Sequence, residues 1–281
     1  MSLFFSSDSE AAKGIAGSSF EIIPEFISNH VRPRQVEVYL PPGYNEGDSF
    51  DVVYMHDGQN VFNAETSFAG VAWEVDKALN TLTVEQKVRP TIVVAIWNTP
   101  LRMREYMPNE PCEEVSKRAR QHDWRGKALS DNYLRFIVKE LKPFIDRTFK
   151  TNPLPASTFM MGSSMGGLIS AYAMVKYPHI FGGAACISTH WPALEGVFLP
   201  YFKDHIPDPA CHKFYFDYGT ATLDAVYEPW QNQVDAMMKA KGYVEGSNWI
   251  TRKFVGASHS EKAWSERVAI PLEFLLGFAS R

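Results

Sequence analysis

The segment FMMGSSMGGLISAYAM (residues 159–174) runs from an apolar stretch, through the motif GSSMG (residues 162–166), into a helix-like stretch. A serine in the pattern GxSxG is either a nucleophile on a sharp turn between a strand and a helix, or part of an ordinary glycine-rich turn. The sharp turn needs residues without bulk two positions before and after the serine, and the glycines meet this need. Because a strand is predicted before the motif and a helix after it, the pattern favours Ser164 as a nucleophile.

Short β-branched or aromatic runs bounded by turn residues predict strands along the whole chain. They are Gln35–Leu40, Asp51–His56, Thr91–Trp97, Ser157–Gly162, Ala184–Ser188, Lys213–Gly219 and Trp249–Phe254. Helical spacing of apolar residues predicts helices at Trp73–Leu82, Asp131–Phe149, Gly166–Tyr177, Trp230–Lys241 and Ala263–Phe278, with Pro143 and Pro271 expected to kink or interrupt two of them. Strands that alternate with helices, several of them continuously apolar, predict an α/β fold with a mostly parallel sheet covered by helices on both faces.

The chain has 281 residues and is 45% hydrophobic, so it can bury a full core, and we expect a single domain over residues 1–281. The segment QVEVYLPPGY (residues 35–44) is followed closely by another strand and predicts an antiparallel hairpin at one edge of the sheet. Residues 98–130 are polar, contain three prolines and are too long for an ordinary connection. We expect them to form a lid or wall above a site, the alternative being disorder.

Charge and composition exclude several classes of partner. The net charge of −4, the pI near 6.1 and the scattered Lys and Arg provide no field for nucleic acid or an anionic membrane. No apolar segment reaches the roughly 18 residues of a spanning helix. The N-terminus lacks the features of a signal peptide, so the chain as it stands is expected to be cytoplasmic, or exported if such a peptide was removed from a longer precursor. Three cysteines without CxxC spacing predict reduced thiols, and the histidine spacing predicts no metal site.

A serine hydroxyl is a weak nucleophile at neutral pH, so the hypothesis requires a histidine base and a carboxylate that orients it. His259 lies in a small polar loop after the last predicted strand, from which it can reach back across the strand ends. The acid should lie between serine and histidine in the chain, because this is the order in folds with a GxSxG elbow. Asp224, just past the strand Lys213–Gly219, is the preferred acid and Glu228 is the next, whereas Asp217 within the strand is expected to point elsewhere.

The strand-to-helix turn also predicts where an oxyanion is stabilised. The N–H of Met165, at the start of the helix, would point toward the reacting carbonyl oxygen. A second donor should come from the loop after Asp51–His56, which continues as DGQNVF. The N–H of Gln59, or that of Gly58, is the candidate, and the alternative is a turn that only closes the strand.

These segments carry a family resemblance. The runs YLPPGY and VVYMHDGQNVF, the elbow GSSMGG followed by YPHIFG, and the late LDA and SH segments resemble the putative esterase family of α/β-hydrolases, which contains enterochelin, feruloyl, acetylxylan and S-formylglutathione esterases. The resemblance covers about Val36 to Phe278 and implies an eight-stranded α/β-hydrolase fold with no cofactor. By position it implies Ser164 as nucleophile, His259 as base and Asp224 as acid. Many relatives have SP and an aromatic residue after the sixth strand, whereas this chain has STHW (residues 188–191), in which His190 is a rival base that precedes the acid.

Several side chains are candidates for contacting a substrate. Aromatic residues in or beside the expected site loops would suit flat sugar or aromatic acyl groups, the alternative for each being ordinary packing. They are Trp97, Tyr106, Trp191, Trp230 and Trp264. Arg102 is a candidate for contacting a substrate carboxylate, the alternative being a solvated charge.

Together these features predict a serine hydrolase that cleaves small-molecule carboxylic esters, with sugar-linked or aromatic acyl groups as the expected substrates. With an alcohol in place of water as acceptor, the same residues would make an acyltransferase. The pattern is also compatible with a non-catalytic ligand-binding relative that kept the fold, and with a peptidase.

Overall fold

The computed structural model of the protein describes residues 16–122 and 126–278. Its strands are β1 (Ser19–Phe26), β2 (Arg34–Leu40), β3 (Asp51–His56), β4 (Thr91–Ile96), β5 (Thr158–Ser163), β6 (Gly183–Ile187), β7 (Lys213–Gly219) and β8 (Trp249–Phe254). Its helices are α1 (Val75–Val84), α2 (Arg102–Tyr106), α3 (Cys112–Gln121), α4 (Ser130–Phe136), α5 (Lys142–Thr148), α6 (Met165–Lys176), α7 (Leu199–His205), α8 (Glu228–Lys241), α9 (Glu261–Ser265) and α10 (Ala269–Leu276).

The eight strands form one sheet in the order β1-β2-β4-β3-β5-β6-β7-β8. Every pair from β4 to β8 is parallel, and β1 and β2 are antiparallel to their neighbours. The predicted α/β fold with a mostly parallel, eight-stranded sheet is therefore confirmed. Because parallel strands end at the same edge, the loops after β3, β5, β6, β7 and β8 meet at one side of the molecule, where ligands bind in open α/β sheets.

The core lies on both faces of the sheet. Alternate residues of β3 belong to different clusters: Val52 and Tyr54 pack with helices α4 to α8, whereas Val53 and Met55 pack with α1 and α10. All four side chains are at most 1% exposed. This explains why the central strands are continuously apolar in sequence, since each must be covered on both faces.

The edge hairpin differs from the prediction. β2 does not pair with β3; it lies between β1 and β4 and is antiparallel to both. The ten residues between β2 and β3 are too many for a tight hairpin turn, and they carry the chain past β4. β1 was not predicted because Pro24 interrupts its pattern, and an edge strand is where a sheet tolerates proline.

The two prolines expected to disturb helices have different effects. Around Pro143 the helix continues, because a wider π turn over Ile137–Leu141 precedes the proline, with the Lys142 N–H bonded to the Ile137 carbonyl. The segment predicted as Ala263–Phe278 is two helices, α9 and α10. The break lies before Pro271, which occupies the first turn of α10, where a proline costs no hydrogen bond.

In the described part of the chain, no helix is both long and apolar enough to cross a membrane. Cys112, Cys186 and Cys211 are unpaired.

Candidate active site

Ser164 lies on the turn between β5 and α6, at the carboxyl edge of the sheet. Its backbone has φ 58° and ψ −119°, a conformation that residues other than glycine rarely adopt. The Ser164 N–H donates to the Ile187 carbonyl of the neighbouring strand end (2.9 Å). A Cβ atom on Gly162 would come within 2.9 Å of the carbonyl group of Gly166. Gly162 is thus a steric requirement of the strained turn that presents the serine, whereas a Cβ on Gly166 would make only ordinary contacts, 3.5 Å from Asp57 and His56.

His259 and Asp224 are joined at this edge by a short hydrogen bond. The His259 Nδ1 lies 2.5 Å from the Asp224 Oδ1, and both side chains are largely buried. The His259 N–H donates to Thr222 Oγ1 (2.8 Å), which holds the histidine loop against the turn that contains Asp224. This pairing occupies the Nδ1 atom of His259, and His259 and Ser164 line the same cavity.

The second carboxylate oxygen of Asp224 is also held. Its Oδ2 accepts hydrogen bonds from the Gly219 N–H (2.7 Å) and from the Ser188 hydroxyl (2.6 Å). Burial opposes the charge, but the hydrogen bonds from His259, Ser188 and Gly219 outweigh it and keep the pKa of Asp224 below its usual value. A Cβ on Gly219 would lie 2.2 Å from the Ala257 carbonyl oxygen, so only glycine lets the histidine loop approach this closely. Asp224 is therefore ionised and fixed in orientation.

Ser188 connects the candidate acid to a buried ion pair. Its hydroxyl accepts hydrogen bonds from Trp264 Nε1 (3.0 Å) and from Arg267 Nη2 (2.9 Å). Both acceptor positions are filled, so its own proton goes to Asp224. Arg267 in turn binds both carboxylate oxygens of Asp217, at 2.9 and 3.1 Å. The mid-strand Asp217, which was expected to point elsewhere, thus holds an arginine.

The loop after β3 forms a tight turn beside Ser164. It begins at Asp57, whose φ is 56°, and the Asn60 N–H donates to the Asp57 carbonyl (2.9 Å). This is the first hydrogen bond of the turn, so the N–H groups of Gly58 and Gln59 precede it and have no partner within the turn. A Cβ on Gly58 would lie 2.7 Å from the backbone of β4, which explains the glycine.

The Asp57 side chain ties this loop to the segment after β4. Arg102 binds it bidentately, with Nε on Oδ1 and Nη2 on Oδ2, both at 2.7 Å. Asn98 Nδ2 adds a third bond at 2.6 Å. Burial would raise the pKa of Asp57, but the arginine outweighs it and lowers that pKa. The acidic residue before the turn is consequently ionised and neutralised by Arg102.

A cavity of about 480 Å³ opens above Ser164 and His259. Its lining residues come from the β3 loop, the segment after β4, the elbow and the start of α9: Asp57, Gln59, Asn60, Phe68, Asn98, Thr99, Pro100, Arg102, Met103, Ser163, Ser164, His259, Glu261 and Trp264. The lining includes the beginning of residues 98–130, the segment expected to form a lid or wall. The rest of that segment includes α2 and α3, and residues 123–125 lie outside the described residues.

Comparison with known proteins identifies the family of this chain. Residues 28–272 match the model of the family described as Putative esterase. The chain belongs to this family. A curated relative, the uncharacterized protein YbbA of Bacillus subtilis, is 26% identical over 254 residues, which cover 87% of this chain and 93% of the relative.

Solved structures of esterases share the fold of this family member. An IroE-like serine hydrolase from Shewanella oneidensis superposes with a TM-score of 0.70 at 17% identity, over 92% of this chain and 79% of the other. The enterobactin esterase FES from Shigella flexneri gives a TM-score of 0.66 at 18% identity, over 92% and 59% of the two chains. Family and neighbours together support ester hydrolysis.

The structure of this family member separates the candidates for base and acid. Glu228 is partly exposed and forms an ion pair with Lys253 (2.8 Å). His190 Nδ1 bonds the hydroxyl of Tyr227 (2.6 Å), which is also hydrogen-bonded to the Ser164 side chain. Burial, reinforced by nearby His259, lowers the pKa of His190 to about 4. Glu228 is thus paired with a lysine, whereas His190 reaches Ser164 through the Tyr227 hydroxyl and through its own N–H, which donates to the Ser164 carbonyl (3.1 Å).

The predicted substrate contacts are only partly brought together. Arg102 lines the cavity, but its guanidinium is bound to Asp57. Four aromatic candidates lie outside the lining formed by the described residues. Trp97 bonds Glu37 (2.8 Å), Tyr106 is fully buried beside His56, Trp191 is 1% exposed and bonds Gln231, and Trp230 packs against Gly196. Trp264 does line the cavity, and Phe68, Met103 and Glu261 are lining residues that the sequence pattern did not single out.

Ser188→Ala in this family member is expected to lower kcat by about tenfold, the scale of one buried hydrogen bond to a charged group. The Asp224 carboxylate would lose one of its hydrogen-bond donors and would be held less firmly against His259. The loss should appear in kcat, with KM changing little, because Ser188 is buried and is not among the residues that line the cavity. The control is Ser170→Ala, which removes another fully buried hydroxyl, bonded to the Gly166 carbonyl. An unchanged kcat in Ser188→Ala, or an equal loss in both variants, would show that Ser188 only supports folding.

Proposed function

We propose that the protein hydrolyses carboxylic esters through an acyl-enzyme on Ser164, with His259 as general base and Asp224 as the residue that orients it. The observation that carries the proposal is the His259–Asp224 hydrogen bond of 2.5 Å, in a cavity that His259 shares with the strained elbow serine. Nucleophile, acid and base follow one another in the chain order expected for this type of elbow.

The proposed cycle follows from the hydrogen bonds. His259 Nε2 takes the proton of Ser164 Oγ as that oxygen attacks the ester carbonyl, and returns it to the leaving alcohol oxygen. Asp224 accepts the Nδ1–H, so the ring keeps its basic nitrogen toward Ser164, and the carboxylate stabilises the imidazolium that forms. Water then repeats the sequence on the acyl-enzyme, releasing the acid and restoring the serine.

The oxyanion of each tetrahedral intermediate is assigned to two backbone donors. Met165 is the first residue of α6, so its N–H has no partner within the helix and lies at the positive end of the helix dipole. The N–H of Gln59 is the second donor, and the Gln59 residue lines the cavity. The paired Asp57 and Arg102 hold that turn in place before substrate arrives, which is what electrostatic stabilisation of a transition state requires.

The cavity favours a substrate with an apolar part of modest size. Phe68, Pro100, Met103 and Trp264 provide apolar surface around the polar residues near Ser164. We propose sugar-linked or aromatic acyl esters as the substrate class, which agrees with relatives whose names include enterobactin esterase and ferulic acid esterase.

The proposal is tested by covalent labelling and by a matched pair of substrates. A fluorophosphonate should modify Ser164, as identified by peptide mass spectrometry, and should abolish hydrolysis of p-nitrophenyl acetate. The matching anilide, p-nitroacetanilide, should be hydrolysed far more slowly, since esters are the easier acyl donors. Absence of both labelling and turnover would favour a non-catalytic binding protein. Comparable rates on ester and anilide would favour a peptidase, and transfer of the acetyl group to added alcohols in preference to water would favour an acyltransferase.

A further inference from the structure

The charged residues that line the cavity are unequal in sign. Two carboxylates, Asp57 and Glu261, face a single guanidinium, Arg102, among the described lining residues. Buried Asp224 adds a further negative charge behind His259. A cleft with an excess of one sign raises the local concentration of ligands with the opposite sign.

Arg102 is not available as a free cation. Its Nε and Nη2 are both bonded to Asp57 at 2.7 Å, and its side chain is 26% exposed. Burial opposes its charge, but Asp57 outweighs this and raises the pKa of Arg102. The pair is fully ionised and close to neutral as a unit, so an anionic substrate would have to compete with Asp57 for the arginine.

Glu261 has no such partner. It is half-buried at the start of α9, two residues after His259, and its charge acts on Arg102 across the cavity. Among the described residues, none of the lysines, arginines or histidines forms an ion pair with it. Lys262 follows it in the helix but is not among the residues that line the cavity. The excess negative charge is therefore carried by a carboxylate at the cavity wall.

Two exposed side chains of the same cavity would suit a cation as well. Phe68 is 90% exposed, and its loop is fixed by the bond from the Phe68 N–H to Asn60 Oδ1 (2.9 Å). Met103 is 45% exposed. An aromatic face attracts ammonium groups, particularly with their methyl substituents, and a thioether is polarizable.

We propose that the cavity selects esters that carry an ammonium group, held by the carboxylate of Glu261 and the ring of Phe68, over neutral and anionic esters of the same shape. The proposal rests on the hydrolase function proposed above, and it concerns the charge of the substrate rather than the acyl class proposed there. The ammonium group belongs to the acyl part or to the alcohol part, and the two arms of the experiment distinguish these.

In the first arm, kcat/KM is measured for three p-nitrophenyl esters that share a leaving group and differ in the end of the acyl chain. They are the trimethylammonio-butanoate, its neutral carbon isostere and the hemiglutarate. The second arm compares acetylcholine with its neutral carbon isostere, dimethylbutyl acetate. In one arm at least, the cationic ester is expected to exceed the neutral one by about tenfold, and the hemiglutarate should be the poorest substrate, with differences that shrink in high salt.

Glu261→Gln should lower the ratio of cationic to neutral kcat/KM by about tenfold. Glu266→Gln is the matched control: it makes the same charge change on an exposed residue outside the cavity lining, and it should keep the wild-type ratio. Phe68→Leu keeps an apolar side chain and should lower the ratio through loss of the ring. Wild-type ratios near one in both arms, or a ratio unchanged in Glu261→Gln, would overturn this inference alone. If no ester is hydrolysed faster than by Ser164→Ala, the proposed function fails and the inference with it.

Discussion

Ser164→Ala is expected to lower kcat for p-nitrophenyl acetate by about 10⁴-fold or more, the scale seen when an acyl-enzyme nucleophile is removed. Without the hydroxyl no acyl-enzyme forms, and the only remaining catalysis is stabilisation of a water attack by the backbone donors. Folding should not suffer, because alanine keeps the Cβ and the hydroxyl is not a helix cap. The measurement is a steady-state assay together with circular dichroism and thermal unfolding of both proteins.

The matched control is Ser163→Ala. It makes the same chemical change one residue earlier in the same motif, at the end of β5, and should cost less than about tenfold. Loss of the burst of p-nitrophenol in Ser164→Ala but not in Ser163→Ala would identify the acylated residue. Equal rates for the wild type and the folded Ser164→Ala protein would show that the motif is only a turn.

Asp224→Asn is expected to lower kcat by roughly 10³- to 10⁴-fold, as for other triads in which the acid becomes an amide. The amide cannot accept from His259, Ser188 and Gly219 as the carboxylate does, and its NH₂ group must face at least one donor. The histidine then loses the bond that fixes its tautomer and the charge that stabilises its protonated form. The large loss should appear in kcat, with KM changing little, because Asp224 is buried and is not among the residues that line the cavity.

Glu228→Gln provides the comparison for Asp224→Asn. Glu228 is four residues away in sequence, was the alternative acid, and pairs with Lys253 at the surface. Since exposed ion pairs contribute little, its kcat should remain within about twofold of the wild type. A severe loss in Glu228→Gln with an active Asp224→Asn would exchange the two assignments.

The strands were predictable where local chemistry and tertiary environment agree. Asp51–His56, Lys213–Gly219 and Trp249–Phe254 have the predicted bounds, because their apolar or β-branched runs end at turn residues. The pairing of β2 was not predictable from neighbouring sequence, since its partner β4 follows fifty residues later and depends on the path of the chain around β3. The continuation of the helix through Pro143 depends on a π turn that no residue pattern announces.

The residues of the candidate site were likewise predictable where the local sequence decides their position, and not where tertiary contacts decide it. Ser164, Asp224 and His259 were selected because each follows a strand in a required order, and the structure brings them to one edge of the sheet. Ser188 and Arg267 were not selected, since a serine at a strand end and an arginine in a helix-like segment are common, and their role exists only through contacts. Trp191 was predicted to contact substrate, but it does not line the cavity. Aromatic character indicates that a side chain is buried or binds a ligand, but it does not indicate whether the ring points into the core or into the cavity.

The bidentate contact between Asp57 and Arg102 joins the turn that carries the Gln59 N–H to the segment that forms one wall of the cavity. A change in that wall that admits a different substrate would therefore also displace the N–H group that we propose as an oxyanion donor. In the evolution of this chain, substitutions in this wall would change substrate specificity and turnover rate together. New substrate preferences would be expected to arise first at Phe68 and Glu261, which line the cavity without taking part in that contact.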